Sequence, residues 1–260
     1  MRLFINHIRF NYNAQNNFRV VRRYSKEVKN AFVISLPFRD DKKFFIAKTF
    51  ARCNMNFQFI DGIFLKANDE YLALFRASTL KNLTHGALGC IASHIKTLTL
   101  ISRCTDGLYT VFEDDVILSP DFRDGLAHIS NHFPSDADIF YLGGGNLRKR
   151  DIEYFVEENV FRAFNPRKGM YAYIVTPKGA KRILNEIIPF DLFCGGIDTK
   201  IGSLVREGKI VAYQWIPALV TVNLDLPSNI FNPSNIKKLL HSSTIKWLKE
   251  TQPMNESNME

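Results

Sequence analysis

The sequence predicts a single α/β domain, a mostly parallel sheet flanked by helices, and three observations lead there. Short apolar runs, each closed by proline, glycine or an acid, alternate with segments of helical periodicity through the first half of the chain. Strand, helix and strand in succession imply parallel pairing with the connecting helix on one face of the sheet. A chain of 260 residues that is 46% hydrophobic can bury one sizeable core, and its 22 phenylalanines fit a globular protein rather than a low-complexity one.

Ala31-Phe32-Val33-Ile34-Ser35-Leu36, stopped by Pro37, reads as the first core strand. From Asp40 to Asn54 the apolar residues Phe44, Phe45, Ala47, Phe50 and Ala51 fall at helical spacing. Phe57 to Ile60 makes the next strand, ended by Asp61-Gly62. Thr84 is placed to cap a long helix whose apolar positions are Leu88, Ile91, Ala92, Ile95, Leu98 and Ile101. Strands follow at 109–112 and 139–142, the latter stopped by Gly143-Gly144-Gly145, and Ser119-Pro120-Asp121 opens a helix between them. The second half is less regular: a strand at 171–175, a short helix from Pro177 to Ile188, and a strand at 211–216 before Pro217. No internal repeat is visible.

Glu113-Asp114-Asp115 stands directly behind the apolar run Tyr109-Thr110-Val111-Phe112, at the end of a strand expected to be buried. Like charges this close raise one another's pKa and cost desolvation, so the arrangement persists most easily where a divalent cation neutralises it. A hard ion such as Mn²⁺ or Mg²⁺, held by one or two carboxylates and completed by substrate phosphates, suits such oxygen ligands. A polar strand end that simply meets solvent accounts for these three residues equally well. In open α/β sheets ligands bind at the carboxyl ends of the strands, which would bring Ser35, Asp61 and Glu113–Asp115 to one crevice.

The net charge of +8 is concentrated: residues 1–30 carry a net +6 and the remaining 230 only +2. A basic leader on a nearly neutral body suits an anionic surface such as a membrane better than a groove for nucleic acid, and is equally read as a solvated terminus. The segment Ile236 to Glu250 sets Ile236, Leu239, Leu240, Ile245, Trp247 and Leu248 against four lysines, which fits a helix lying on a membrane or one packed on the domain. The expected organisation is therefore a leader at 1–30, a globular domain at 31–230 and a basic amphipathic helix and tail at 231–260. No stretch of 18 apolar residues exists and the leader fits neither a secretory nor a transit class, so the expected location is the cytoplasm, with peripheral attachment to the inner membrane face. Cys53, Cys90, Cys104 and Cys194 form no C-x-x-C pair, so neither a zinc site nor a disulfide framework is expected.

Several local motifs together resemble glycosyltransferase family 25, the lipopolysaccharide and collagen sugar transferases. They are Val33-Ile34-Ser35-Leu36 with Arg39-Asp40-Asp41-Lys42, Phe59-Ile60-Asp61-Gly62, the block from Leu83 to His94, Val111 to Val116, Ala172 to Val175 with Gly179-Ala180, and Pro189-Phe190-Asp191. The Gly-x-x-Gly-Cys-x-x-Ser-His block followed by Glu-Asp-Asp is the specific part. The resemblance covers about residues 31–230. It implies a GT-A-like, Rossmann-like domain, a nucleotide-diphosphate-sugar donor and Mn²⁺ or Mg²⁺ as cofactor. It assigns Glu113 and Asp115 to the metal, and Ser35, Arg39, Asp61, Gly86, Ser93, His94 and Asp114 to the donor side. The chain has Ser35 where the family pattern has Asn, and Ala87 where Glu is commoner.

An inverting transfer needs a general base for the acceptor hydroxyl, and Asp191 and Asp198, in a glycine-rich stretch, are the candidates; each is equally read as a helix cap. A lone helical histidine such as His94 is more often structural than catalytic, and Gly86 and Gly89 serve either ligand approach or packing. The function expected is transfer of a hexose, galactose or glucose, from a UDP-sugar to a lipopolysaccharide-type or other oligosaccharide acceptor. A GT-A-fold binding protein with impaired catalysis and a metal-dependent phosphohydrolase are the alternatives, and no nucleic-acid partner is expected.

Overall fold

The computed structural model describes residues 23–24, 28–66, 69–144, 152–157, 159–166, 169–223 and 225–226. The leader at 1–30, apart from a few residues, and the whole segment 231–260 lie outside the described residues, as does Gly145. The elements in order are β1 (Arg23–Tyr24), β2 (Val28–Ser35), α1 (Asp40–Arg52), β3 (Gln58–Asp61), α2 (Ala77–Asn82), α3 (His85–Ser102), β4 (Leu108–Glu113), β5 (Val116–Leu118) and α4 (Phe122–Asn131). They continue with β6 (Phe133–Pro134), β7 (Ile139–Tyr141), β8 (Ile152–Glu157), β9 (Val160–Ala163), β10 (Ala172–Val175), α5 (Pro177–Ile187), α6 (Ile197–Arg206), β11 (Ala212–Trp215) and β12 (Val220–Val222).

Eight strands form the central sheet in the order β3-β2-β4-β10-β7-β11-β9-β8. β2 pairs in parallel with β3 and β4, and β7 with β11; β10 runs antiparallel to both β4 and β7, and β9 to both β11 and β8. Six of the eight strands therefore share one direction and only β10 and β9 oppose it. The expected α/β sheet is present, and its parallel pairs are broken on one side by two inserted antiparallel strands.

Strand alternation assigns the two faces. Phe32 and Ile34 of β2, Tyr109 and Val111 of β4, and Tyr173 and Val175 of β10 pack with α3, α5 and α6. Ala31 and Val33, Phe112, and Ala172 and Ile174 pack on the other face with Ile46 and Phe50 of α1 and Phe122 and Ile129 of α4. Glu113 continues the Tyr109-Val111 face and so points toward α3, away from the α1 layer.

The helix starts follow local chemistry. Thr84 caps α3 as expected, its hydroxyl accepting from the Ala87 N–H at 3.2 Å, and Thr176 caps α5 ahead of Pro177. α4 begins two residues later than its proline suggests, with Asp121 at the cap position. Three features go beyond the sequence expectation. The β8/β9 hairpin turns at Asn159, whose φ of 69° suits the left-handed region that Asn tolerates. β5 and β12 form a separate antiparallel ribbon. Ile197, Ile201, Leu204 and Val205 make α6 amphipathic behind the glycine run that suggested a loop.

α3 docks unusually close to the end of β3. A β-carbon on Gly89 would collide with the Ile63 carbonyl oxygen. One turn on, Ser93 Oγ donates to the Gly89 carbonyl at 2.7 Å and accepts from the Ile63 N–H at 2.8 Å. Gly89 is thus a packing glycine. Replacing it by alanine brings about 1 kcal/mol of helix propensity, against about 1–3 kcal/mol for overpacking a contact with main chain that cannot rotate away. Gly89→Ala should therefore lower stability on balance, as a reduced urea midpoint with an unchanged m-value.

Candidate functional site

The carboxyl ends of β2, β3 and β4 lie side by side, with Ser35 opposite Asp61 and Ile34 opposite Glu113 in register. The chain leaves the sheet at Glu113, turns over Asp114 and Asp115, and enters β5. The turn is held from both sides: the Glu113 N–H donates to the Tyr171 carbonyl at 2.8 Å and the Asn223 N–H to the Asp115 carbonyl at 2.6 Å.

Lys42, from the first turn of α1 and only 5% exposed, reaches this turn. Its ammonium donates to Asp114 Oδ1 at 2.7 Å and to Asp115 Oδ2 at 3.0 Å. Burial works against its charge, yet the two carboxylates outweigh it and raise the Lys42 pKa. Three carboxylates against one ammonium leave two negative charges. Burial pushes the Asp115 carboxyl up to about 6, with Glu113 and Asp114 adding to the rise and Lys42 opposing it. Asp115 Oδ1 is buried without a hydrogen-bond partner, as is the Ser35 hydroxyl. Unsatisfied buried polar atoms are uncommon and call for a ligand or water. Hard oxygen donors and residual negative charge are chemistry that would suit a divalent cation such as Mn²⁺ or Mg²⁺, with Asp115 the carboxylate left open; Glu113, expected beside it, faces α3 and His94 instead.

On the α3 side, fully buried His94 sits between Tyr173 OH, 3.2 Å from Nδ1, and Glu113 Oε1, 3.3 Å from Nε2. Burial raises the Glu113 carboxyl, but the His94 hydrogen bond and the Lys42 charge outweigh it and leave the pKa lowered. Cys90, one turn before His94, joins them: a ligand atom from each of Cys90, His94 and Glu113 lies within 4.8 Å of the other two. The sequence expectation of no zinc-type cluster rested on the missing C-x-x-C pair. The structure adds a candidate group that this spacing rule does not cover, because a cysteine and a histidine four apart on a helix share a face and meet a carboxylate from β4.

The remaining expected residues divide. Asp198, in the first turn of α6, accepts from the Gly169 and Met170 N–H groups at 3.1 and 2.8 Å. Burial, with Glu113 contributing, raises its pKa, so it lies within electrostatic reach of the acidic turn. Asp191 is exposed and accepts from Ser78 Oγ at 3.2 Å on α2, apart from that turn. Arg39 precedes α1 and pairs with Asp41 through two hydrogen bonds of 2.8 and 2.7 Å, while its charge interacts with Asp114 and Asp115. Asp61 is exposed, and its carbonyl takes the Lys96 ammonium at 2.8 Å. Gly86 falls in the first turn of α3. Ser93 spends its hydroxyl on the Gly89 and Ile63 main chain and so acts as a brace for the helix.

Two features at this edge had no part in the sequence expectation. Phe38 and Phe64 are 59% and 58% exposed and meet edge to face, with centroids 5.4 Å apart, just beyond β2 and β3. The Tyr171 hydroxyl accepts from the Gly144 N–H at 2.6 Å, tying the loop after β7 to the strand beside Glu113.

A family model described as glycosyltransferase family 25 (LPS biosynthesis protein) matches residues 28–194. The chain belongs to this family. A Haemophilus influenzae protein named "Putative glycosyltransferase" is 27% identical over 182 residues, 68% of this chain and 62% of that protein. A protein of Acanthamoeba polyphaga mimivirus, "Putative glycosyltransferase R655", is 31% identical over 130 residues, 46% of this chain and 40% of that protein. The chain thus spans less than two thirds of the length of either relative. A solved nucleoside-diphosphate-sugar pyrophosphorylase from Vibrio cholerae aligns over 82% of this chain and 81% of its own at 12% identity, with a TM-score of 0.36, too slight a likeness to support an argument. Among the described residues no helix is long and apolar enough to cross a membrane.

The electrostatics lead to two measurable outcomes. A carboxyl that ionises less readily in the folded chain keeps its proton there while the unfolded chain has lost it, so Asp115 makes stability fall as pH rises from its ordinary 3.8 through about 6. Comparing chemical denaturation of wild type and Asp115→Asn without metal should show this component missing from the variant, a difference on the order of 1–3 kcal/mol. Lys42→Met leaves two buried carboxylates without their counterion and should cost about 3–5 kcal/mol at pH 7.5, much of it recovered at pH 4.

Proposed function

We propose that the chain is a glycosyltransferase that moves a hexose, galactose or glucose, from a UDP-sugar to a lipopolysaccharide-type or other oligosaccharide acceptor with inversion, using Mn²⁺ or Mg²⁺. The observation that supports it best is the acidic turn at the carboxyl ends of β2, β3 and β4, where one ammonium faces Asp114 and Asp115 and Asp115 Oδ1 is buried without a partner. Family membership supplies the reaction class.

In this reading Asp115 holds the cation beside Asp114, and the cation when bound would offset the negative charge of the donor diphosphate. Lys42 fixes Asp114 and Asp115 in one geometry, so their oxygens need not reorganise when the donor arrives. Ser35 lies at the floor on the ribose side. Phe38 and Phe64 offer the nucleoside base an exposed apolar face at the rim. Asp198, with a raised pKa and one oxygen anchored to the 169–170 main chain, is the better of the two general-base candidates. Asp191, exposed and bonded to Ser78, is the weaker. The acceptor and any attachment to an anionic membrane remain part of this proposal on the strength of the family description and the basic leader alone.

Isothermal titration with UDP in the presence of Mn²⁺ should give saturable binding to the wild type and none to Asp115→Ala. Absence of wild-type binding, or equal binding by the variant, would overturn the reading. Asp198→Asn should bind UDP like wild type while turnover falls by about 10²- to 10⁴-fold, and Asp191→Asn should change turnover by less than about threefold. The reverse pattern would move the base to Asp191.

A further inference from the structure

We propose that Cys90, His94 and Glu113 form a site for a thiophilic divalent ion of the Zn²⁺ class, distinct in ligand chemistry from the oxygen-lined acidic turn. The three donor atoms lie within 4.8 Å of one another on two rigid elements, α3 and β4. A tetrahedral zinc with N and O bonds of about 2.0–2.1 Å sets those two ligand atoms about 3.3–3.4 Å apart. His94 Nε2 and Glu113 Oε1 stand 3.3 Å apart.

The surroundings are those of a held site. Once Nε2 is given to a metal, the Nδ1–H donates to the Tyr173 hydroxyl at 3.2 Å, which fixes ring orientation and tautomer as metal-bound histidines usually require. Glu113 is anchored through its main chain to Tyr171. Cys90 and His94 share a helix face that the Gly89 and Ser93 contacts with Ile63 keep in place. The Glu113 side chain is 31% exposed and Cys90 is half-buried, so the group is not sealed from solvent. Sulfur and imidazole donors favour Zn²⁺ and Co²⁺ over Mn²⁺ and Mg²⁺. Binding replaces the Cys90 S–H bond by a metal–thiolate bond and releases that one proton to solvent, while thiolate and carboxylate together neutralise the ion.

The test is a Co²⁺ titration of the full chain followed by visible absorption, a readout independent of transferase activity. Wild type should bind Co²⁺ with tetrahedral d–d bands and a thiolate-to-cobalt charge-transfer band, displaced by Zn²⁺ and not by excess Mg²⁺. Cys90→Ser should lose the charge-transfer band and bind at least tenfold more weakly, whereas Cys53→Ser should match wild type. Glu113→Gln should keep the band and lose at least tenfold in affinity, which carries the test if Cys90→Ser does not fold. No charge-transfer band in wild type, the same band in folded Cys90→Ser, or unchanged affinity in Glu113→Gln overturns the proposal.

Discussion

The bridge from Lys42 to Asp114 and Asp115 is the interaction on which the candidate site depends. Three carboxylates at the end of a buried strand repel one another and resist desolvation. One ammonium hydrogen-bonded to two of them at 2.7 and 3.0 Å makes the turn tenable without any ligand. It also ties α1, on one face of the sheet, to the β4–β5 turn. Partial neutralisation matters as much as neutralisation: the turn stays short of balance by two charges, and Asp115 Oδ1 stays unpartnered. A stable fold and a turn left short of charge balance come from the same pairing.

Strand alternation then divides the acidic turn between the two layers. Glu113, in phase with Tyr109 and Val111, faces α3 and meets His94 and Cys90. Asp114 and Asp115, past the end of the ladder, fall to the α1 side. Three adjacent residues thus sit in two chemical environments, one with sulfur and imidazole nearby and one of oxygens and an ammonium. Their pKa shifts differ accordingly, with Glu113 lowered and Asp115 raised.

Much of this was legible in the sequence where one local rule dominated. The Thr84 cap, Pro177 at the start of α5, the apolar run of β4 and the acids behind it all stand where pattern and propensity place them. Lys42 was not legible, because Asp40-Asp41-Lys42-Lys43 reads as a solvated helix face, and only the approach of α1 to the β4–β5 turn buries one of the four. The β8/β9 hairpin and α6 were hidden by a neighbouring turn residue and a glycine run. Cys90 and His94 were individually visible, and their four-residue spacing on a predicted helix was the signal that would have joined them. Asp191 and Asp198 looked equivalent in the chain; only the packing of α6 against 169–170 separates them.

The tight seating of α3 on Ile63 limits how this architecture can diversify. Main chain meets main chain at Gly89, so the floor between β3 and the helix cannot be widened by trimming side chains. Variation at this edge is left to Phe38 and Phe64, which project just beyond β2 and β3, where substitutions disturb little of the core. Substitutions would accordingly accumulate at those two phenylalanines and leave Gly89 and Ser93 untouched.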